Sequence, residues 1–352
     1  MKKLLALLLV FALLFTFTAC GTEEEAPSEP SPVVTESPEP EPEEPEEEEE
    51  TPVTGMDIHG AIHRIAYGDN VVYLFGSMHA ERDTWFPLAD VVEDAMQRAD
   101  MFATEIDLAD LDAQMEALGE VMLMPDGQTW SDYLPQEAYD HLVETLLAWG
   151  IAAEEMYTLN PHFLVFALSM EMAQSLADVD TGGLDISVDS YVQNVALERD
   201  IPVFGLESIE QQMQILYNPP LEAKIAHIMG FLPPDELMEL FLSDDVPSLD
   251  DLADAYETND LARLAALFAL ELSEDVVGDD AWGVYMRETV MNWRSTYYAN
   301  VLADFLRETE EPTTLFAVVG ISHIMRSMGG AEFTDIIEQL ELLGFEPEAI
   351  WQ

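Results

Sequence analysis

Hydrophobic and polar positions along the chain predict strands near both ends and helices between them. In "AIHRIAYGDNVVYLFGSMH", two β-rich runs at residues 62–67 and 71–75 flank "YGDN", which is typical of a hairpin turn. Further apolar runs rich in β-branched or aromatic residues predict strands at the start of "MFATEIDL" from Met101, at residues 201–204, at residues 315–319 and in the closing "FEPEAIW".

Helical periodicity dominates the middle of the chain. In "WFPLADVVEDAMQRAD", apolar residues recur at helical spacing from Leu88 to Met96, and Pro87 is the expected helix opener. From about residue 110 to residue 309 nearly every segment has the spacing of an amphipathic helix. Since neither end alone has enough strands, we expect both ends to share one central mixed sheet. The predicted fold is α/β (α+β), with flanking helices and a large helical insertion, or cap, over about residues 110–290.

The first twenty residues predict export rather than folded structure. Lys2 and Lys3 precede the apolar run "LLALLLVFALLFTFTA", which is typical of a signal peptide. The run ends at Cys20, the only cysteine, and "FTAC" followed by Gly21 resembles a bacterial lipobox. We therefore predict a lipoprotein anchored through Cys20 at the extracytoplasmic face of the cell membrane, without intrachain disulfides. The alternative is an ordinary cleaved signal with a chance cysteine.

Residues 21–52 predict a disordered stalk. They contain fourteen Glu and eight Pro. A segment of this composition cannot form a hydrophobic core, and repulsion between its like charges keeps the chain extended. A stalk after a lipid anchor would hold a domain away from the membrane. The predicted organisation is therefore a signal peptide at 1–20, the stalk at 21–52 and a single domain at 53–352.

The charge of that domain excludes one class of partner. Subtracting the two leader lysines and the fourteen stalk glutamates from the formal charge of −59 leaves −47 for residues 53–352. Such a surface repels nucleic acids and anionic lipids, so we expect no nucleic-acid partner. Divalent cations and basic peptides are compatible with it, although most of the charge has its simplest explanation in solubility.

Two of the predicted strands lead into the same Gly-x-x-His pattern. His79 and His323 each lie four residues beyond the predicted strand end. The carboxyl ends of parallel strands form the ligand-binding edge of an α/β sheet, so the two imidazoles are expected to meet over one cleft. The residues expected to support the two turns, by chain flexibility or by nearby hydroxyls, are Gly76, Ser77, Gly320 and Ser322.

A carboxylate from a third strand completes a candidate metal site. Glu105 ends the strand "MFATEIDL", and Asp107 lies two residues on and so on the same predicted face. Two imidazoles and a carboxylate make a small N/O ligand set for a divalent ion, which predicts His79, His323 and Glu105 as ligands. The alternative for each residue is an ordinary histidine or glutamate at a strand edge.

Three segments, in order, resemble the TraB/GumN family, which includes pheromone-shutdown proteins and animal Tiki proteins. They are "VVYLFGSMHAERDTWFPLADVVEDAMQRADMFATEID", "GLDISVDSYVQNVALERDIPVFGLESIEQQMQIL" and the closing part from "NWRSTYYANVLADFLRE" through "VVGISH". The resemblance covers essentially residues 60–351. It implies a Tiki-like fold remotely related to erythromycin esterases, and a metal-dependent protease or peptidase activity.

The resemblance also assigns residues. His79 and His323 match the two family histidines, and Glu105, Glu207 and Arg294 match an acidic residue, a Leu-Glu and an Arg of the closing helix. The sequence departs from the family at Ser295, where Asn is usual. It departs again at Ile321 and in "IMRSMGG", so the second pocket is expected to differ.

The resulting hypothesis is hydrolysis at a divalent Mn, Co or Zn ion that lowers the pKa of a bound water. Asp107 or Glu207 would be the base, and Arg294 would stabilise an oxyanion or clamp a substrate carboxylate. Glu105 acting as the base without metal is a second possibility, and the substrate would be a peptide or a small molecule. The rival interpretation is a non-catalytic lipoprotein that binds or sequesters a peptide signal. The sequence leaves the oligomeric state open.

Overall fold

A six-stranded mixed sheet lies at the centre of the fold and takes strands from both ends of the chain. The computed structural model describes residues 57–80, 82–107, 111–178, 187–243, 245–325 and 333–351. Its strands are β1 (His63–Tyr67), β2 (Asn70–Ser77), β3 (Met101–Thr104), β4 (Val203–Gly205), β5 (Thr314–Gly320) and β6 (Glu348–Ala349), in the spatial order β4-β3-β5-β2-β1-β6. The predicted α/β fold is confirmed, and both ends of the chain contribute to the one sheet.

Strand direction explains where a site can form. β1 and β2 form the predicted antiparallel hairpin, with Tyr67 opposite Asn70, whereas β2, β5, β3 and β4 run parallel to one another. The carboxyl ends of these four parallel strands therefore lie at one edge of the sheet. The parallel strands are apolar along most of their length because both faces are covered, as in β5, where residues 315–319 are fully buried.

Helices fill the connections on both sides of β4, so the helical middle is two segments rather than one. The α-helices are α1 (Asp90–Arg98), α2 (Leu111–Met122), α3 (Trp130–Tyr133), α4 (Gln136–Ala148), α5 (Pro161–Ser175), α6 (Val188–Glu198), α7 (Ile209–Tyr217), α8 (Leu221–Met229), α9 (Pro234–Phe241), α10 (Leu249–Glu257), α11 (Leu261–Glu271), α12 (Glu274–Val277), α13 (Ala281–Tyr285), α14 (Arg294–Glu308) and α15 (Ile336–Leu342). A π-helix, Met286–Trp293, runs directly into α14. Among the described helices, none combines the length and the apolar character that crossing a bilayer requires.

Two packed clusters hold these layers together. The larger one joins the sheet to helices such as α6 and α14, with Phe75, Phe316 and Tyr298 among its buried members. A separate cluster lies under the cap helices around Trp130 and Leu164. The cap therefore has a core of its own.

Several predicted boundaries are shifted. β2 extends to Ser77 and β5 to Gly320, so His79 lies two residues and His323 three residues beyond its strand, not four. α1 begins at Asp90 rather than at Pro87. The predicted signal peptide, Cys20 and the stalk lie outside the described residues.

Gly60 is predicted to be far less replaceable than Gly68, although both have positive φ, +48° and +59°. A Cβ on Gly60 would lie 2.2 Å from the Phe75 ring and 2.3 Å from the Gly76 carbonyl oxygen, whereas one on Gly68 would meet nothing within 4 Å. Gly68→Ala should cost about 1–2 kcal/mol from its left-handed backbone alone. Gly60→Ala should cost about 3–5 kcal/mol because overpacking is added. Urea unfolding of both variants measures the difference, and equal losses would contradict the prediction.

Candidate functional site

The ends of four parallel strands bring the predicted residues together. His79 follows β2, Glu105 follows β3, Glu207 follows β4, and His323 lies in a 3-10 turn, Ile321–His323, directly after β5. Arg294, the first residue of α14, reaches them from outside the sheet. All of these except Glu207 line one cavity of about 550 Å³ between the sheet edge and the cap helices.

A buried ion cluster forms the floor of this cavity. Arg294 Nη2 donates to Glu105 Oε2 at 2.7 Å and to Glu207 Oε1 at 2.6 Å, and Arg294 Nε donates to the same Glu207 oxygen at 3.1 Å. Tyr298 Oη adds a donation of 2.6 Å to Glu207 Oε1. Because Glu207 is enclosed behind Glu105 and does not line the cavity, it holds Arg294 in place rather than facing a substrate.

Glu105 is ionised at neutral pH. Burial by itself raises the pKa of this carboxyl, but Arg294, with the two site histidines and the Gly320 N–H, outweighs burial and lowers the pKa to about 2. The Gly320 N–H donates to Oε1 at 2.8 Å, and the Gln212 amide donates to Oε2 at 3.2 Å. A carboxylate so fully hydrogen-bonded is a weak base.

Asp189 fixes the orientation of His79. Asp189 Oδ2 lies 3.0 Å from His79 Nδ1, and Asp189 Oδ1 accepts a hydrogen bond of 2.7 Å from Ser77 Oγ. The Asp189 side chain is buried, whereas 68% of the His79 side chain is exposed. The negative charge of Asp189 raises the pKa of His79 to about 9, against an opposing effect of desolvation. At neutral pH His79 is therefore an imidazolium, with Nδ1 held by Asp189 and Nε2 left for a ligand.

His323 is held in the opposite protonation state. Its Nδ1 lies 2.9 Å from Ser295 Oγ, and the Tyr298 ring packs edge-on against its imidazole at 5.5 Å between centroids. Burial, reinforced by Arg294, lowers the pKa of His323 to about 4. The imidazole is neutral at pH 7, and when Nδ1–H donates to Ser295 its Nε2 carries the lone pair. Ser295 is thus the residue that positions this ring.

The glycines of the two patterns serve close approach rather than sharp turning. Gly320 has an ordinary φ of −50°. A Cβ on it would lie 3.4 Å from Glu105 Oε1, so glycine lets the carboxylate reach the Gly320 N–H. A Cβ on Gly76 would lie 2.7 Å from Ile324 Cδ1 and 2.8 Å from the Gly60 carbonyl oxygen. The expected turning role is therefore corrected for both.

Two other residues, Asp107 and Ser77, do not have the surroundings that the sequence predicted. Asp107 is absent from the cavity lining, because β3 ends at Thr104 and the alternation of a strand no longer applies beyond it. Ser77 lines the cavity, but its hydroxyl donates to Asp189, while Ser322 lines the cavity near His323.

Sequence reasoning missed Asp189. It lies one position after Val188 in α6, on the buried face that also carries Val192 and Ala196. An acidic residue at an apolar position of an amphipathic helix was the available signal, because such a charge needs a buried partner.

The donor types at the cavity suit a divalent metal. Nε2 of His79, Nε2 of His323 and a Glu105 oxygen are the ligands that such ions prefer. Within the described residues, however, no group of three or more His, Cys, Asp or Glu side chains is placed so that it could hold an ion.

The fold and the site define an α/β protein with a cavity lined by histidine and glutamate at the carboxyl edge of a mixed sheet. The chain belongs to the TraB/PrgY/gumN family, whose family model matches residues 61–348, as the sequence motifs predicted. No curated protein and no solved structure matches it.

Asp189→Asn should lower the pKa of His79 from about 9 towards its ordinary value of 6.5, because the attracting charge is removed. The imidazole titration, followed by proton NMR and assigned with His79→Gln, measures it. Asp94→Asn, at an exposed position on α1, is the matched control and should leave the titration unchanged. An unaltered His79 titration in Asp189→Asn would refute the assignment.

Arg294→Met should destabilise the fold by about 3–5 kcal/mol, because two buried carboxylates lose their counter-charge. The matched control is Arg263→Met, which breaks the half-exposed pair with Asp251 and should cost about 0.2–1 kcal/mol. Urea unfolding at pH 7 compares the two. Equal losses would show that the cluster is not the stabilising element described above.

Proposed function

We propose that this cavity hydrolyses an ester or amide bond. Water would add its oxygen to the carbonyl carbon, the carbon–oxygen or carbon–nitrogen bond would break, and the leaving group would take a proton. The proposal rests on one observation. Two imidazoles line one cavity, Nδ1 of each lies within about 3.0 Å of its own partner, and their surroundings shift the two pKa values in opposite directions.

The opposite pKa shifts assign the roles. Groups whose surroundings push their pKa values apart are the usual acid and base of an active site. His79, protonated at neutral pH, is the proton donor to the leaving group. Neutral His323 accepts the proton of the attacking water. Glu105 is the weaker base of the two, because its pKa is lowered to about 2 and that of His323 to about 4, and its charge favours the imidazolium that forms on His323.

Arg294 is better suited to positioning than to clamping a substrate carboxylate. Its Nε and Nη2 donate to Glu207 and Glu105. The remaining guanidinium nitrogen is Nη1. Because Arg294 lines the cavity, Nη1 is the candidate donor to an oxyanion that develops on the substrate.

A divalent Mn, Co or Zn ion remains part of the proposal. When bound, such an ion would lower the pKa of a water and polarise the carbonyl. His79 and His323 would hold it through Nε2, together with Glu105. The ion would have to displace the proton of His79, so its affinity should rise with pH.

The alternative function is binding without hydrolysis, as in sequestering a peptide signal. The apolar wall that the cap helices give the cavity favours binding of an apolar ligand, because apolar lining supplies affinity without chemistry. Lipidation of Cys20 would place either activity at the extracytoplasmic face of the membrane.

The full-length chain should hydrolyse ester or amide substrates with a bell-shaped pH profile. The activity should fall below about pH 4, as His323 becomes protonated, and above about pH 9, as His79 loses its proton. His79→Ala and His323→Ala should each lower kcat/KM by about 10²–10⁴-fold. A panel of chromogenic esters and peptides, assayed with and without added Mn, Co or Zn, provides the measurement.

The matched control is His141→Ala, since this half-buried histidine on α4 bonds the Phe231 carbonyl in the cap. Elemental analysis of wild type and the two site variants tests the metal. Stoichiometric metal lost in both variants would support a metal-dependent reaction. Binding of an apolar ligand without turnover under any metal condition would favour the sequestering function and end the hydrolase proposal.

A further inference from the structure

The cavity has two chemically different ends. The ion cluster and the two histidines form one end, at the sheet edge. The rest of the wall comes from cap helices α2, α5, α7, α10 and α11, through Leu118, Phe166, Met170, Met213, Leu252 and Phe268. A substrate that fills about 550 Å³ therefore places its reacting bond at the polar end and an extended apolar part against the cap.

The apolar end offers little to a polypeptide. A peptide carries an N–H and a C=O at every residue, and each one buried without a partner costs free energy. The helices of the wall use their backbone groups internally, and Ser187 Oγ already accepts from the Ser190 N–H as the cap of α6. Gln174, Gln212 and Tyr217 are the other polar side chains that these helices bring to the cavity, and Gln212 already donates to Glu105 and Glu207. A chain without polar groups fits this wall better.

The polar end selects against a negative charge. Three carboxylates, Glu105, Asp189 and Glu207, meet at this end; the guanidinium of Arg294 lies 2.7 Å from Glu105 and 2.6 Å from Glu207, and Asp189 lies 3.0 Å from His79 Nδ1. Arg294 is already shared between two of the carboxylates. A free carboxylate on the substrate would add to this excess of negative charge, and the rest of the domain is acidic as well.

We propose that the substrate is an uncharged acyl ester or acyl amide whose aliphatic chain lies against the cap helices, with its carbonyl between His79 and His323. The reaction in this proposal depends on the proposed hydrolase function, whereas the binding of the acyl chain does not. Hydrolysis would give the free acid and an alcohol or amine. The new carboxylate would then be repelled by the carboxylates of the polar end, which favours product release.

Binding of straight-chain amides separates this proposal from catalysis. Butanamide, hexanamide, octanamide and decanamide are uncharged, and calorimetry on full-length His323→Ala avoids turnover. The affinity should rise about fourfold for each added methylene, until the chain fills the apolar end. Octanoate should bind at least tenfold more weakly than octanamide. A flat series, or octanoate binding as tightly as octanamide, would overturn the proposal.

Filling the apolar end supplies the structural control. Ala167 on α5 lines the cavity, and Ala167→Trp should abolish the chain-length dependence. Ala148→Trp, at an exposed position of α4, should leave it intact, with circular dichroism verifying both folds. Tighter binding of acetyl-trileucine amide than of decanamide would overturn the acyl assignment in favour of a peptide. Chain-length-dependent binding without hydrolysis by the wild type would retain the ligand class and reject only the hydrolase function.

Discussion

The contact of Arg294 with Glu105 and Glu207 is the interaction on which the site depends. It links the ends of β3 and β4 to the start of α14, and through the Gly320 N–H it also reaches the end of β5. Three charges removed from water are tolerable only while all three are present, since each one left alone would carry its full desolvation cost. The cluster therefore constrains where the strand ends can lie, and His79 and His323 take their places around it.

The π-helix before Arg294 belongs to the same constraint. Residues 286–293 have the wider π-helical turn. Such turns are rare in proteins, and those that occur are often found near functional sites. It changes the direction in which the following residues point relative to a continuous α-helix. In this chain those residues are Arg294, Ser295 and Tyr298, which hold Glu207 and His323. The irregular backbone thus aligns one helix with two separate strand ends.

Much of the fold could be predicted because its causes are local. Apolar runs with β-branched residues and the "YGDN" turn specify the strands and the hairpin, and periodicity specifies the helices. The same reason made it possible to predict His79, Glu105 and His323, since each follows a strand that can be recognised from the sequence. Asp189 was missed, because its acidic side chain on the apolar face of α6 signals a buried partner without identifying it, and the partner depends on α6 packing beside β3 and β5. Asp107 was wrongly placed because the predicted alternation continued past Thr104, where the strand stops.

The two Gly-x-x-His segments are alike in sequence but not in the environment that the fold gives them. His79 faces the open cavity beside a buried aspartate, so its charged form is favoured. His323 is enclosed beside a serine hydroxyl and an arginine, so its neutral form is favoured. In symmetric surroundings the two imidazoles would have the same pKa. The asymmetry comes from residues outside the repeated segments, Asp189 on α6 and Ser295 on α14. The repeated pattern thus supplies the two positions, and the intervening helices decide what each histidine does.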